Sequence, residues 1–301
     1  MNIAAFDIGG TSLKMGVIDR QGNILASDSS DISHNDRNKI LEQIIAWLKK
    51  NPSCSGIAVS TPGYIDPDNG YIAMGGTVRD FDRFHLSQWL TEKTSLPATV
   101  ENDAHCALLA ERWLGKAKKL NDFLMLTIGT GLGGAAFCNG ALIRGGRNRA
   151  GEFGCLLTSR PTDSNIEPHT MAQSCTMTAL RENYAQLSGQ PADDISGKDV
   201  FDAFEQGDEL AQKVVNTFYQ HLAAGLYNLF SVFDPQTIFI GGGITERESF
   251  CRSFHSSWKN IKSISALIPP PTATTPACWA QPITFCKASR VSSLSAVASP
   301  E

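Results

Sequence analysis

The sequence predicts an α/β fold made of two similar halves. Three observations lead there. Short apolar runs bounded by glycine turns alternate with stretches of helical periodicity. A strand, a glycine-threonine turn and a second strand occur once in each half. The length of 301 residues accommodates about two domains. A hydrophobic share of 42% with 19% charged residues suits a chain with a sizeable core.

In the first half, "NIAAFDIGGTSLKMGVID" reads as a strand from Ile3 to Phe6, then Asp7, a Gly9-Gly10-Thr11 turn and a strand from Leu13 to Ile18. A hairpin turned on glycines lets backbone amides approach a phosphate closely, and Asp7 at the strand end is placed to hold a hydrated Mg²⁺. For the glycine pair alone, turn geometry is the commoner reason. A strand to Ser60 leads into Thr61-Pro62-Gly63. In "LPATVENDAHCALLAERWLG" a strand from Ala98 to Val100 precedes a helix marked by Cys106, Leu109 and Trp113 and stopped at Gly115. Asn102 or Asp103 starts that helix, where both are favoured caps. The functional alternative is a carboxylate that takes a proton from a sugar hydroxyl as a phosphoryl group arrives.

In the second half, "FLMLTIGTGLGGAAFCNGALI" gives a strand from Phe123 to Ile128, a turn from Gly129 to Gly134, a strand from Ala135 to Cys138 and a hairpin turn at Asn139-Gly140. The turn leads into a strand, and no G-x-x-x-x-G-K-[ST] occurs, so neither the P-loop nor the dinucleotide fingerprint fits. Glu152 lies in the glycine-flanked loop "GGRNRAGEFG". "TIFIGGGITE" places Gly241, Gly242 and Gly243 after a strand from Thr237 to Ile240, with a helix beginning near Glu246. Such a strand end suits a flat base.

A net charge of -4 without a basic block disfavours nucleic acid or a membrane surface as partner. The N-terminus lacks a secretory pattern and no run of eighteen apolar residues occurs, so a cytoplasmic protein is expected. Eight cysteines without C-x-C or C-x-x-C spacing read as reduced thiols rather than a structural zinc site.

In order and spacing, "DIGGTSLK", "STPGYID", "ENDAH", "IGTGLGG", "RAGEFG" and "FIGGG" resemble the ROK family of sugar kinases, within the actin-like ATPase superfamily, from Asn2 to about Phe254. The likeness is strongest to members that act on β-glucosides. It implies two actin-like (ribonuclease H-like) α/β domains with an interdomain cleft, at residues 1–116 and 117–262, with an atypical tail at 263–301. It also implies ATP- and Mg²⁺-dependent phosphorylation of the 6-hydroxyl of the non-reducing glucose of β-glucosides such as cellobiose. By position, the resemblance makes Asp103 the general base, Asn102 a sugar-hydroxyl ligand, and Gly63 and Glu152 part of the sugar pocket. Asp7, Gly9, Gly10, Thr11 and Lys14 belong to the first phosphate turn, with Asp7 holding Mg²⁺ through water. Gly129, Thr130, Gly131, Gly133 and Gly134 form the second, and Gly241, Gly242 and Gly243 the adenosine site. The implied partners are a sugar and a nucleotide, in a homodimer. Glucokinase, N-acetylmannosamine kinase and a catalytically weakened remnant stay open as alternatives. A repressor of the same family needs a helix-turn-helix before the first turn, where Asp7 leaves no room.

Two departures stand out. Cys155 occupies the position of a histidine that in many members precedes a zinc-binding cysteine knot, and no knot follows. Cys155, His169 and Cys175 are therefore expected to be thiols and a surface histidine, with room nearby for an aglycone. The tail, with "IPPPTATTPACWAQPITFCK" from Ile268 to Lys287, lacks the family's "GNDAGLLGAA"-like turn and helix and is expected to be poorly ordered. Its possible codons, read one base earlier, permit those residues. We therefore expect a frameshift between about Lys262 and Thr272 in the coding sequence; nucleotide sequencing checks this, and codons incompatible with the alternate frame would refute it.

Overall fold

The computed structural model describes residues 2–32, 36–161, 164–259 and 283–285. The described chain divides into two compact units. The first runs through Leu120 and includes Arg144–Ala150; the second comprises Asn121–Ile143 and the chain from Gly151 onward.

In the first unit, β1 (Asn2–Ile8), β2 (Ser12–Ile18) and β3 (Ile24–Asp31) form an antiparallel meander. Helix α1 (Arg37–Lys50) then crosses to β4 (Cys54–Thr61), parallel to β1. β8 (Ala98–Asn102) adds in parallel beside β4, giving the order β3-β2-β1-β4-β8. Central β1 buries five consecutive residues, from Ala4 to Ile8, as expected of a strand covered on both faces. Edge strand β3 is largely polar, which discourages pairing with another chain. Asp36 caps α1 by accepting from the Asn38 and Lys39 amides, and Ile40, Leu41, Ile44, Trp47 and Leu48 form its buried stripe. Between β4 and β8 lie a small antiparallel sheet, β5 (Tyr64–Asp66), β6 (Tyr71–Met74) and β7 (Phe84–His85), and helix α2 (Leu86–Thr94). Helix α3 (Asp103–Trp113) follows β8 without a loop.

The second unit opens on the same device. β9 (Phe123–Ile128) and β10 (Leu132–Cys138) form a hairpin, extended by β11 (Ala141–Leu142) through the two-residue Asn139-Gly140 turn. After α4 (Met177–Ser188), α5 (Gly197–Glu205) and α6 (Glu209–Phe233), strand β12 (Thr237–Gly241) pairs with β9 in parallel. The hairpin and its parallel neighbour thus repeat β1, β2 and β4. Helix α7 (Glu248–Lys259) follows, and β13 (Ile283–Phe285) extends the order to β11-β10-β9-β12-β13. Phe201, Phe218, Tyr219, Phe250 and Phe254 pack as a ring cluster, with centroid spacings such as 6.0 Å between Phe201 and Phe250. Among the described residues no helix is long and apolar enough to cross a membrane.

Three sequence expectations change. The strand after the second turn begins at Leu132 rather than Ala135, so Gly133 and Gly134 pair with Thr127 and Leu126 inside the hairpin. The helix expected near Glu246 begins at Glu248, after a 3-10 turn over Gly243–Glu246. Ile283–Phe285 pairs with β12 and Ile283 lies in the core; the rest of the 263–301 tail, including the frameshift interval, lies outside the described residues.

Leu222, fully buried on α6, reports on the second core. Leu222→Ala should destabilise that unit by about 2–5 kcal/mol, measured by urea unfolding.

Candidate active site

Three parallel strands end side by side in the first unit. The ladders align Asp7 of β1 with Ser60 of β4, and Ser60 with Glu101 of β8. Side chains in register project from the same face of a sheet, so the alignment collects polar groups at one edge. Ser60 Oγ donates to Asp7 Oδ1 at 3.0 Å, and Lys14, opposite Asp7 on β2, donates from Nζ to Oδ2 at 3.0 Å. Both Asp7 oxygens are therefore oriented, in a residue only 9% exposed.

Each glycine turn is closed by a backbone hydrogen bond, over three residues in the first and two in the second. The Gly9 amide donates to Ser12 O at 2.9 Å, and the Gly129 amide to Gly131 O at 2.9 Å. Gly10, Thr11, Thr130 and Gly131 form exposed tips. A Cβ on Gly129 or Gly131 would meet nothing within 4 Å, leaving open approach to that backbone. The start of α4 anchors the second turn from behind: the Met177 amide donates to Gly129 O at 2.9 Å and Thr178 Oγ1 to Thr130 O at 3.0 Å. Gly134 is needed where it stands because a Cβ would lie 2.5 Å from Gly151 O and 2.3 Å from the Phe153 ring. Beyond β12, a depression of ≈ 650 Å³ beside Gly243 is lined by Lys198, Phe201, Ile244 and Arg247. Arg247 lies 5.7 Å from the Phe201 ring centroid and pairs with Asp202 and Glu205.

At the β8–α3 junction, Asn102 is the cap. Its Oδ1 accepts from the amides of Ala104 (2.9 Å) and His105 (3.1 Å), while Nδ2 donates to Gly63 O at 3.0 Å. Gly63 sits at φ +109°, and a Cβ there would fall 1.9 Å from Met74 O, so this turn admits only glycine. Asn102 thus positions both α3 and the Gly63 carbonyl, a structural job that adds to the sugar-ligand role expected of it. Asp103 is exposed in the first helical turn, its Oδ1 accepting from the Ala104 amide at 2.8 Å. Glu152, in the second unit, is exposed immediately before a 3-10 turn over Phe153–Cys155.

Sequence reasoning did not single out Glu101, His105 and Arg144. His105 Nδ1 donates to Glu101 Oε1 at 3.0 Å, Arg144 donates to Glu101 Oε2 at 2.5 Å, and the Asn102 amide donates to Oε1 at 2.8 Å. Burial opposes ionisation of Glu101, but the His105 hydrogen bond, the charges of His105 and Arg144 and the Asn102 amide outweigh it and hold the carboxyl below its ordinary value. The i, i+4 spacing of Glu101 and His105 was the available signal; Arg144 gave none. Cys106 lies under the same edge. Burial, reinforced by Glu101, Asp7 and Asp103, pushes its thiol well up, which keeps it protonated and unreactive.

Of the residues near the missing knot, Cys155 is exposed and Cys175 is buried in the core. His169 Nδ1 lies 2.8 Å from Ser159 Oγ. Among the described residues no group of three or more His, Cys, Asp or Glu is arranged to hold a metal ion.

The ROK family matches residues 3–268. A β-glucoside kinase of Klebsiella pneumoniae is 51% identical over 263 residues, covering 87% of this chain and 89% of that protein. A solved Listeria monocytogenes structure, described as a candidate N-acetylmannosamine kinase, superposes with a TM-score of 0.89 at 43% identity, covering 99% of this chain and 97% of that one. A Streptococcus pneumoniae ROK family protein in complex with sucrose gives a TM-score of 0.79 at 29% identity, covering 99% and 96%.

The Glu101 network has a pH signature. Because its folded-state value is lowered, the stability from the ionised carboxylate is present above the ordinary 4.5 and is lost as pH falls through the folded value. Thermal unfolding against pH should therefore flatten below 4.5 in Glu101→Gln relative to the unaltered protein.

Proposed function

The chain belongs to the ROK family, and on that premise we propose that it transfers the γ-phosphoryl group of ATP to the 6-hydroxyl of the non-reducing glucose of β-glucosides such as cellobiose. The observation that carries this reading is the 51% identity to a β-glucoside kinase over 87% of the chain.

Phosphoryl transfer asks a protein chiefly for positioning and for donors around moving charge. The two glycine turns supply backbone at their exposed tips, and Lys14 supplies a cation beside the first. Gly241, Gly242 and Gly243 end β12 where the depression with Lys198, Phe201 and Arg247 has room for a purine base. Asp103 is the general base: exposed at a helix start, it accepts the proton of the 6-hydroxyl as the new P–O bond forms. Asn102, Gly63 and Glu152 hold sugar hydroxyls. Asp7 suits a hydrated Mg²⁺, since its carboxylate is hard, oriented by Ser60 and Lys14, and able to hold the ion through its waters. When bound, the ion neutralises charge on the phosphates. We assign the protein to the cytoplasm as a homodimer, with sugar and nucleotide as its only ligands and no structural zinc.

The 43% identical Listeria structure favours N-acetylmannosamine as the second substrate to test. Purified protein should consume ATP with cellobiose in preference to glucose or N-acetylmannosamine. Asp103→Asn should lower kcat by about 10²–10⁴-fold while the protein stays folded. A preference for either free sugar would reassign the substrate, and no turnover by folded protein would support the weakened remnant.

A further inference from the structure

The chain leaves the second unit after Ile143, runs with the first through Arg144–Ala150, and rejoins the second at Gly151. This excursion is polar, with none of its residues buried, and it contains Gly145 and Gly146. No apolar face orders it, so its conformational entropy must be opposed by specific bonds. One pair of side chains holds both of its ends. At the first, Arg144 donates to Glu101 Oε2 at 2.5 Å. At the last, the Ala150 carbonyl faces His105 Nε2 at 3.4 Å. His105 Nδ1 donates to Glu101 Oε1, so the two fasteners are joined. The Ala150 amide also donates to Arg144 O at 3.0 Å, closing the segment on itself, and Arg149 lies 4.3 Å from the Tyr64 ring centroid, next to Gly63.

The backbone immediately after the excursion is equally fixed. Gly151 adopts φ +93°, and a Cβ on it would fall 2.6 Å from Gly134 O. Glu152 comes next. Glu101 and His105 flank Asn102 and Asp103, while their partners Arg144 and Ala150 lie just upstream of Glu152.

We propose that Glu101, His105 and Arg144 are positioning residues for sugar binding: they clamp the 144–150 segment to the strand-helix junction, and with the Asn102 amide held by Glu101 they fix the backbone that presents Asn102 and Asp103 beside Gly63. The clamp rests on the reading of Asn102 and Asp103 as sugar-binding residues. His105 is buried and Glu101 is half-buried, so losing one partner leaves the Glu101 carboxylate without its counterpart and frees the segment.

Arg144 is the least buried of the three and the safest to alter. Arg144→Ala should raise the KM for cellobiose roughly ten- to a hundredfold while that for ATP stays within about twofold, and Arg144→Lys should recover most of the loss. Hydrogen exchange at the 145–151 amides should quicken in Arg144→Ala, with α1 and α6 unchanged as controls for folding. An unchanged KM for cellobiose, an equal rise for both substrates, or unchanged exchange would overturn the clamp. If the unaltered protein phosphorylates no sugar, the kinase reading fails separately, and exchange alone decides: faster supports the clamp, unchanged refutes it.

Discussion

The candidate site depends on the register of three parallel strands. Asp7, Ser60 and Glu101 share one row across β1, β4 and β8, and the next row pairs Thr61 with Asn102. A slip of one residue in either ladder would turn a member of the row to the opposite face, and a slip of β1 against β4 would break the Ser60–Asp7 bond. The adjacent row, with Phe6, Val59 and Val100 all nearly inaccessible to solvent in the core on the opposite face, holds that register. Burial of the apolar positions therefore sets where the polar ones emerge.

The row concentrates negative charge. Burial raises the Cys106 thiol, and the charges of Glu101, Asp7 and Asp103 reinforce it. Lys14 answers Asp7 and Arg144 answers Glu101, whose other oxygen is hydrogen-bonded by His105. Asp7 and Glu101 are consequently committed to fixed partners. Asp103 differs from both in being exposed, at the first turn of α3.

The parts visible in the sequence are those that local chemistry dictates. A glycine turn between apolar runs is a short-range pattern, and both hairpins appear where it predicts them. The Asn102 cap was legible for the same reason. The start of β10 was not, because Gly133 and Gly134 look like turn residues until Gly151 is seen to press against Gly134. Nor did the sequence disclose why Glu101 is charged: its partner Arg144 is 43 residues away, in a loop that by composition is only a loop. The break before α7 was likewise hidden, since the Gly243–Glu246 turn carries residues that a helix also accepts.

The Arg144–Ala150 segment also decides how the molecule can be divided. Among the described residues the chain passes between its units at Leu120–Asn121, at Ile143–Arg144 and at Ala150–Gly151. No single cut yields two contiguous halves with complete parts: a fragment ending at Leu120 lacks the segment that Glu101 and His105 hold, and one beginning at Asn121 carries it without its anchor. The two halves look modular as sheets, yet as polypeptide they are stitched, since the segment that Glu101 and His105 hold is reached only by way of the second unit.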